Sequence, residues 1–107
     1  MQVSYFHSSL KSWRELNLTL HFTAFMREIR SISRTLPQIL YHKDEIIKIL
    51  KKHLRVRESL AYEPLLDLTT KLAHDLEEDF YPYFGEIIEC VIELTKYRDV
   101  EILEVIY

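Results

Sequence analysis

Glycine and proline are scarce in this chain of 107 residues, which contains one Gly and three Pro. All-β domains and loops that cradle phosphate groups both need glycines at positive φ. A single glycine therefore argues against both kinds of structure. Hydrophobic residues make up 48% of the chain, which is enough to build a core. The predicted fold class is all-α.

Cysteine is scarce as well, because Cys90 is the only one. A lone cysteine excludes an intrachain disulfide and a CxxC metal pair. Its neighbours Ile88, Val91 and Ile92 indicate a small buried residue in a reducing compartment. The opening segment "MQVSYFHSSLKS" lacks the charged start and apolar run of a secretory signal. No apolar run approaches the roughly 18 residues of a membrane span, so we expect a soluble intracellular protein without a membrane partner.

Charges of the two signs are segregated along the chain. Residues 1–57 carry 11 Lys and Arg against 4 Asp and Glu, whereas residues 58–107 carry 3 against 13. Such a division indicates separate partners for the two halves, or neighbouring segments that neutralise each other. Solvated helix faces would give the same pattern.

Apolar residues recur at helical spacing in four segments. The first stripe, at alternating steps of 4 and 3, contains Leu18, Phe22, Phe25, Ile29, Ile32 and Leu36. The later stripes contain Ile46, Ile47, Leu50 and Leu54, then Leu65, Leu68, Leu72 and Leu76, then Phe80, Phe84, Ile87, Val91 and Leu94. From these stripes we predict a buried core of Phe22, Phe25, Ile29, Ile47, Leu50, Leu68, Leu72, Phe84, Ile87 and Val91.

Polar residues mark where these helices begin. Thr35 is a predicted N-cap for the second helix, with Gln38 as its capping-box partner. Ser59 opens the third helix and Asp79 caps the fourth. Asp99 is the predicted cap of a short fifth helix.

The two halves of the chain resemble each other. The segment "EIIKIL" at 45–50 recurs as "EIIECV" at 86–91, an offset of 41 residues. Helix–turn–helix units that repeat at about 40–47 residues are typical of HEAT and armadillo solenoids. The predicted architecture is an α-solenoid of HEAT-like antiparallel hairpins. It has approximate repeats at 17–57 and 59–97, with partial helices at 3–14 and 99–107, and residues 1–107 form a single fragment of a longer array.

The stretch "LAHDLEEDFYPYF" at 72–84 combines a histidine with four acidic residues, and it indicates either a metal or acid–base site or a helix joint. His74 and Glu78 share a helix face, but a zinc site needs about three or four convergent ligands. No HExxH motif or second histidine lies near. The stretch is therefore interpreted as a joint, and we expect no metal, no cofactor and no catalytic residue.

A basic set on the second helix is the strongest candidate for a binding site, and its members are Lys48, Lys51, Lys52, Arg55 and Arg57. A second basic row on the first helix contains Arg27, Arg30 and Arg34. Such surfaces bind phosphate oxygens or the acidic face of a partner. The set lacks the exposed aromatics that stack on single-stranded bases. Solvation or intrachain pairing is the favoured interpretation, and contact with RNA or an acidic partner is the alternative.

The segments "LKSWRELNLTLHF", "ILYHKDEIIKILKKHL" and above all "LAYEPLLDLTTKLAHDLEEDFYPYF" resemble the N-terminal region of one family. It is the down-regulated-in-metastasis (DRIM) family of very large HEAT-repeat proteins associated with the U3 small nucleolar RNA. The resemblance extends over about residues 4–104. It implies a nucleolar, nuclear component of the small-subunit processome, a preribosome, which serves in ribosome biogenesis and rRNA processing. Implied partners are other processome proteins, precursor ribosomal RNA or small nucleolar RNA, and neighbouring repeats of the same chain.

Three functions remain for the structure to distinguish. The first is a non-catalytic scaffold segment of a ribosome-assembly factor, which would leave apolar stripes exposed at the ends of the fragment. The second is a free-standing helical domain that binds a partner peptide, which would have a closed core. The third is a small helical enzyme, which would need a pocket of convergent histidine and carboxylate groups.

Overall fold

The computed structural model describes the backbone of residues 3–56 and 59–106, and the side chains of those ranges up to residue 96 apart from Thr95. This part of the chain is helical and contains no strand, which confirms the predicted all-α class. The α-helices are α1 (Tyr5–Leu16), α2 (Leu20–Ile29), α3 (Leu36–Tyr41), α4 (Lys43–Leu54), α5 (Tyr62–Leu76) and α6 (Tyr81–Ile106). Short 3₁₀ segments occupy Arg30–Ile32 and Glu77–Phe80.

The N-cap predicted at Thr35 is confirmed, because its hydroxyl accepts the amide N–H of Gln38 at 3.3 Å. The reciprocal bond of a capping box is not formed. The Gln38 amide oxygen instead accepts the N–H of Arg34 at 2.8 Å, and its amide nitrogen donates to the carbonyl of Ser31 at 2.7 Å. Gln38 therefore fastens the preceding turn to α3 and does not close the cap.

The core draws on all the long helices, and most of its predicted members are buried as expected: Phe22, Phe25, Ile29, Ile47, Leu50, Leu68, Leu72 and Ile87. Two predictions were wrong, since Phe84 is 54% exposed and Val91 is only half-buried. The inward residues of α6 and the preceding segment are Phe80, Ile87, Cys90 and Leu94, with Tyr83 partly buried. This stripe and the predicted one both step by 3 and 4, so spacing alone does not choose between them.

Three helix boundaries also differ from the prediction. Helix α5 begins at Tyr62, with Ala61 at its N-cap position, and does not begin at Ser59. Asp79 lies inside the 3₁₀ segment and not at the N-cap of α6, which begins at Tyr81. Asp99 does not start a fifth helix, because α6 continues through it to Ile106. The joint itself is confirmed, since α5 ends at Leu76 and the acidic residues that follow form the turn.

Long-range hydrogen bonds fix the directions of the helices. The start of α1 meets the end of α5 through Ser4 and Asp75, and Asn17 after α1 donates to the carbonyl of Leu60 before α5 at 3.0 Å. Helix α1 is therefore antiparallel to α5, and it contributes the fully buried Phe6 to the common core. Helices α4 and α6 run in the same direction where they meet. Asp44 of α4 contacts Tyr83 of α6, and further along both helices Lys51 contacts Glu86.

Glu77, at the junction of α5 and the 3₁₀ segment, has φ 51° and ψ −119°. A side chain in this region is strained by about 1–3 kcal/mol, and glycine is not. We expect Glu77→Gly to raise the free energy of unfolding by about 1 kcal/mol. Removing the backbone strain at residue 77 stabilises the folded state by more than the added flexibility of glycine stabilises the unfolded chain. Urea titration followed by circular dichroism measures the change. Glu78→Gly is the matched control and should lower stability.

Candidate functional site

The structure separates the predicted basic set into paired and solvent-facing members. Lys51 forms an ion pair with Glu86 of α6, and Lys52 forms one with Glu28 of α2 at 2.5 Å. Lys48 and Arg55 are exposed, and Arg57 lies outside the described residues. The Lys51 hydrogen bond lowers the pKa of Glu86, with a smaller contribution from the charge of Arg55. Part of the charge division along the sequence is thus neutralised between helices.

A chain of hydrogen bonds that the sequence did not indicate starts at Glu28. Its carboxylate accepts hydrogen bonds from Lys52 and His53, which lower the pKa of Glu28 and keep it ionised. His53 Nδ1 lies 2.8 Å from His21 Nε2, and His21 Nδ1 meets the hydroxyl of Ser59. Glu28, His53, His21 and Ser59 are hereafter the polar chain. It joins α2, α4 and the loop before α5.

An arrangement of protons with two neutral imidazoles satisfies every link of the polar chain. Because Glu28 is a carboxylate, His53 donates to it through Nε2–H and accepts at Nδ1. His21 then donates through Nε2–H and accepts the Ser59 hydroxyl proton at Nδ1, while the Ser59 oxygen accepts the amide N–H of Ala61 at 3.0 Å. Both imidazoles are neutral in this arrangement and all four ring nitrogens are engaged.

The polar chain runs from the core to the surface, because His53 is buried, His21 and Ser59 are half-buried, and Glu28 is exposed. His53 is 5% exposed, and its ring meets the edge of Phe25 with ring centroids 5.3 Å apart. Its hydrogen-bonded pairs are 25 to 38 positions apart in sequence, which is why they looked scattered. The one local signal was the seven-residue spacing of His21 and Glu28, which places both on one face of α2.

The polar chain makes stability depend on pH. Burial and the neighbouring His53 lower the pKa of His21 in the folded protein. The unfolded chain then binds the proton more readily, so stability is full above about pH 6.5 and falls as the pH drops toward the lowered pKa. We expect urea titrations at about pH 7.5 and 5.5 to show this loss, and His21→Gln to reduce the difference. His74→Gln, on the exposed side of α5, is the control and should retain it.

In the acidic stretch at 72–84, His74 and Asp75 make contacts that hold the start of α1. Asp75 caps α1, because its carboxylate accepts the hydroxyl of Ser4 at 2.7 Å and the amides of Tyr5 and Phe6 at 2.8 and 3.0 Å. The ring of His74 lies 4.1 Å from that of Tyr5. Within residues 3–56 and 59–96, no cluster of three or more His, Cys, Asp or Glu is arranged to hold a metal ion.

Asp67 of α5 is a second acid that holds α1. It accepts the Ser9 hydroxyl at 2.6 Å and the indole N–H of Trp13 at 2.8 Å. Burial opposes its ionisation, but these hydrogen bonds and Lys71 outweigh burial and lower the pKa of Asp67. The interface between α1 and α5 thus depends on two carboxylates, Asp67 and Asp75, which the sequence analysis did not single out for that role.

Two apolar surfaces are exposed in the part of the chain whose side chains are described. The first, hereafter the α6 stripe, consists of Tyr81, Phe84, Ile88 and Ile92, which are 74%, 54%, 37% and 48% exposed. The second, hereafter the leucine patch, consists of Leu16, Leu18, Leu20 and Leu60 around the turn between α1 and α2. Members of the α6 stripe are three or four residues apart, so they lie along one face of the helix. Contiguous exposed apolar surface is a feature of interaction sites, so the α6 stripe is a candidate for one.

No helix in the described part of the chain combines the length and the apolar character that crossing a bilayer requires. No protein-family model matches the sequence. Similarity to known proteins is nevertheless extensive. U3 small nucleolar RNA-associated protein 20 of Schizosaccharomyces pombe is 35% identical over 101 residues, and that of Saccharomyces cerevisiae is 38% identical over 94 residues.

These alignments cover 94% and 88% of this chain. They cover only 4% of each relative, so the chain spans a small fraction of the length of the proteins that it matches. The resemblance predicted from the three quoted segments is thereby confirmed. The chain belongs to the family of U3 small nucleolar RNA-associated protein 20, of which it matches a short segment.

Proposed function

We propose that this chain is a non-catalytic scaffold segment of a nucleolar ribosome-assembly factor, and that it supports processing of the small-subunit ribosomal RNA precursor. The proposal rests on membership in a family whose relatives are named for association with U3 small nucleolar RNA. Its partners would be neighbouring segments of the same parent chain, other processome proteins, and precursor ribosomal RNA or small nucleolar RNA.

The observation that carries the scaffold role is the α6 stripe. A free-standing domain buries the apolar face of its helices, whereas a repeat in an array offers that face to the next repeat. Phe84 and Ile88 lie near the middle of this face and are 54% and 37% exposed. Covering such residues would contribute about 25 cal/mol for each Å² of apolar surface removed from water. The stripe therefore fits a helix of a neighbouring segment.

The packing of α4 on α6 supports the HEAT-like architecture. The two similar segments, 45–50 and 86–91, lie on these two helices, which run in the same order at their contacts. In stacked helical repeats, equivalent helices of successive repeats are neighbours. An array of this kind provides a long surface for assembly and needs no catalytic residue.

The polar chain is interpreted as a structural element, although it contains a serine, two histidines and a carboxylate. A serine nucleophile requires a histidine that is able to take its proton and later give it to a leaving group. His21 is held between Ser59 and His53, and the Ser59 oxygen also accepts the Ala61 amide. These bonds tie the loop to α2 and α4. We expect Ser59→Ala to lower stability and to leave any esterase background unchanged.

The test is to purify the tagged full-length protein that contains this chain and to probe the eluate for U3 small nucleolar RNA. We expect enrichment of that RNA, and loss of the enrichment when Phe84→Asp and Ile88→Asp place charges on the α6 stripe. Glu89→Gln and Glu93→Gln, which are exposed on the same helix, are the matched control and should keep it.

The two parts of the proposal fail separately in this experiment. Absence of the RNA from the wild-type eluate contradicts a role in ribosome assembly. Full enrichment with both aspartates in place contradicts the docking of a neighbouring segment on the α6 stripe and favours a free-standing domain that binds a partner peptide elsewhere.

A further inference from the structure

A groove lined by cations runs between α1 and the segment from α2 to Arg34. It consists of two adjoining hollows of about 340 and 220 Å³. Both hollows are lined by Arg14 of α1 and by Met26 and Arg30 of the facing segment. Lys11 and Arg34 line the larger hollow, and Arg27 lines the smaller one. This is hereafter the α1–α2 groove.

The cations of the α1–α2 groove are exposed and have no acidic partner among the side chains that the structure describes. In the described part of the chain, none of Lys11, Arg14, Arg27, Arg30 and Arg34 has a carboxylate oxygen within 4.0 Å. The basic set on α4 differs, because Lys51 and Lys52 are already paired with Glu86 and Glu28. An anionic ligand is therefore able to bind these cations without first breaking an ion pair within the described part of the chain.

Cations are the charged groups of the lining, and Met26 is its half-buried apolar member. Leu10 and Phe22 are 4% and 1% exposed, so their apolar surface is already used by the core. The indole N–H of Trp13 is engaged by Asp67, and no tyrosine or phenylalanine ring is exposed in the lining. Neither apolar anchoring nor stacking of bases is favoured here. Recognition must therefore depend on the cations.

We propose that the α1–α2 groove binds the phosphate backbone of RNA without reading its sequence. The inference rests on the proposed function, and it places RNA contact in this groove and not on α4. Four of the five cations are arginines, whose planar guanidinium donates two parallel hydrogen bonds to a phosphate. Arg14 and Arg30 line both hollows from opposite walls, so a backbone lying along the groove passes between them.

An acidic polypeptide fits this surface less well than RNA does. Protein partners gain most of their affinity from side chains that fill desolvated pockets. Beside the buried Leu10 and Phe22, only Met26 offers apolar surface in the lining of the groove. A polynucleotide needs no such anchors, because its affinity comes from release of the counterions around its phosphates.

The experiment measures binding of the 107-residue chain to fluorescein-labelled oligouridine by fluorescence anisotropy over a series of salt concentrations. Arg14→Gln with Arg30→Gln should weaken binding at least about tenfold, since each removes a charged hydrogen bond to phosphate. The slope of log affinity against log salt should become less steep by about 1.4, which is about 0.7 for each cation lost on a single strand. Lys48→Gln with Arg55→Gln removes the same charge from α4 and should leave both quantities nearly unchanged.

Two further measurements separate the alternatives. Arg14→Lys with Arg30→Lys keeps the charges and should preserve the salt slope while losing part of the affinity. Poly-glutamate, added as a competitor, should displace the RNA poorly. If the α4 and groove variants weaken RNA binding equally, the affinity depends on net charge and not on the groove. If poly-glutamate binds tightly at the groove, its ligand is an acidic protein and not RNA. Either result overturns the inference, whereas recovery of U3 RNA with the full-length protein would still support the proposed function.

Discussion

Replacement of Phe25 by alanine is expected to lower the free energy of unfolding by about 3–5 kcal/mol, which is much of the stability of a small domain. Phe25 is 0% exposed and lies between the ring of Phe22, 5.7 Å away, and the ring of His53, 5.3 Å away. Alanine would leave a cavity beneath the polar chain and loosen His53. Urea titration followed by circular dichroism measures the loss.

Phe84→Ala is the matched control for this prediction. The side chain is of the same type and also lies in a helix, but it is 54% exposed. We expect a loss below about 1 kcal/mol, because little apolar surface leaves the core and no closed cavity forms. A loss as large as that of Phe25→Ala would mean that Phe84 faces the core after all.

Replacement of Asp75 by alanine is expected to lower the free energy of unfolding by about 2–4 kcal/mol, since hydrogen bonds to a charged group contribute about 1.5–3 kcal/mol each and are not additive. Three donors at the start of α1 lose their acceptor, namely the Ser4 hydroxyl and the amides of Tyr5 and Phe6. Helix α1 should then fray from its N-terminus.

Chemical denaturation gives the energy, and hydrogen exchange of the Tyr5 and Phe6 amides locates the effect. Asp79→Ala is the control, because Asp79 is exposed and makes no side-chain hydrogen bond in the described part of the chain. It should change stability by less than about 0.5 kcal/mol. Slow exchange at Tyr5 and Phe6 in Asp75→Ala would show that α1 is held by its apolar face alone.

The sequence by itself determined the features that depend on residues close together in the chain. Scarcity of glycine and regular apolar spacing specified an all-α fold, since helical periodicity is a property of consecutive residues. Thr35 was recognisable as a cap because its partner, Gln38, is three positions away. The joint after Leu76 was inferred because the acidic stretch lacks enough convergent metal ligands, and the quoted segments were enough to identify the family.

Only the tertiary structure decided which of two equivalent faces of α6 is buried, because Phe84 and Tyr83 belong to stripes with the same periodicity. It also decided which charges are paired. Asp75 caps a helix 71 positions away, and Glu28 meets His53 25 positions away. The local sequence does not encode such partners. An Asp or Glu residue is the same in the sequence whether its carboxylate faces water, a lysine or the end of a helix. The packing of α1 on α5 and of α2 on α4 selects among these environments, and it leaves the cations of the α1–α2 groove without an acidic partner in the described part of the chain.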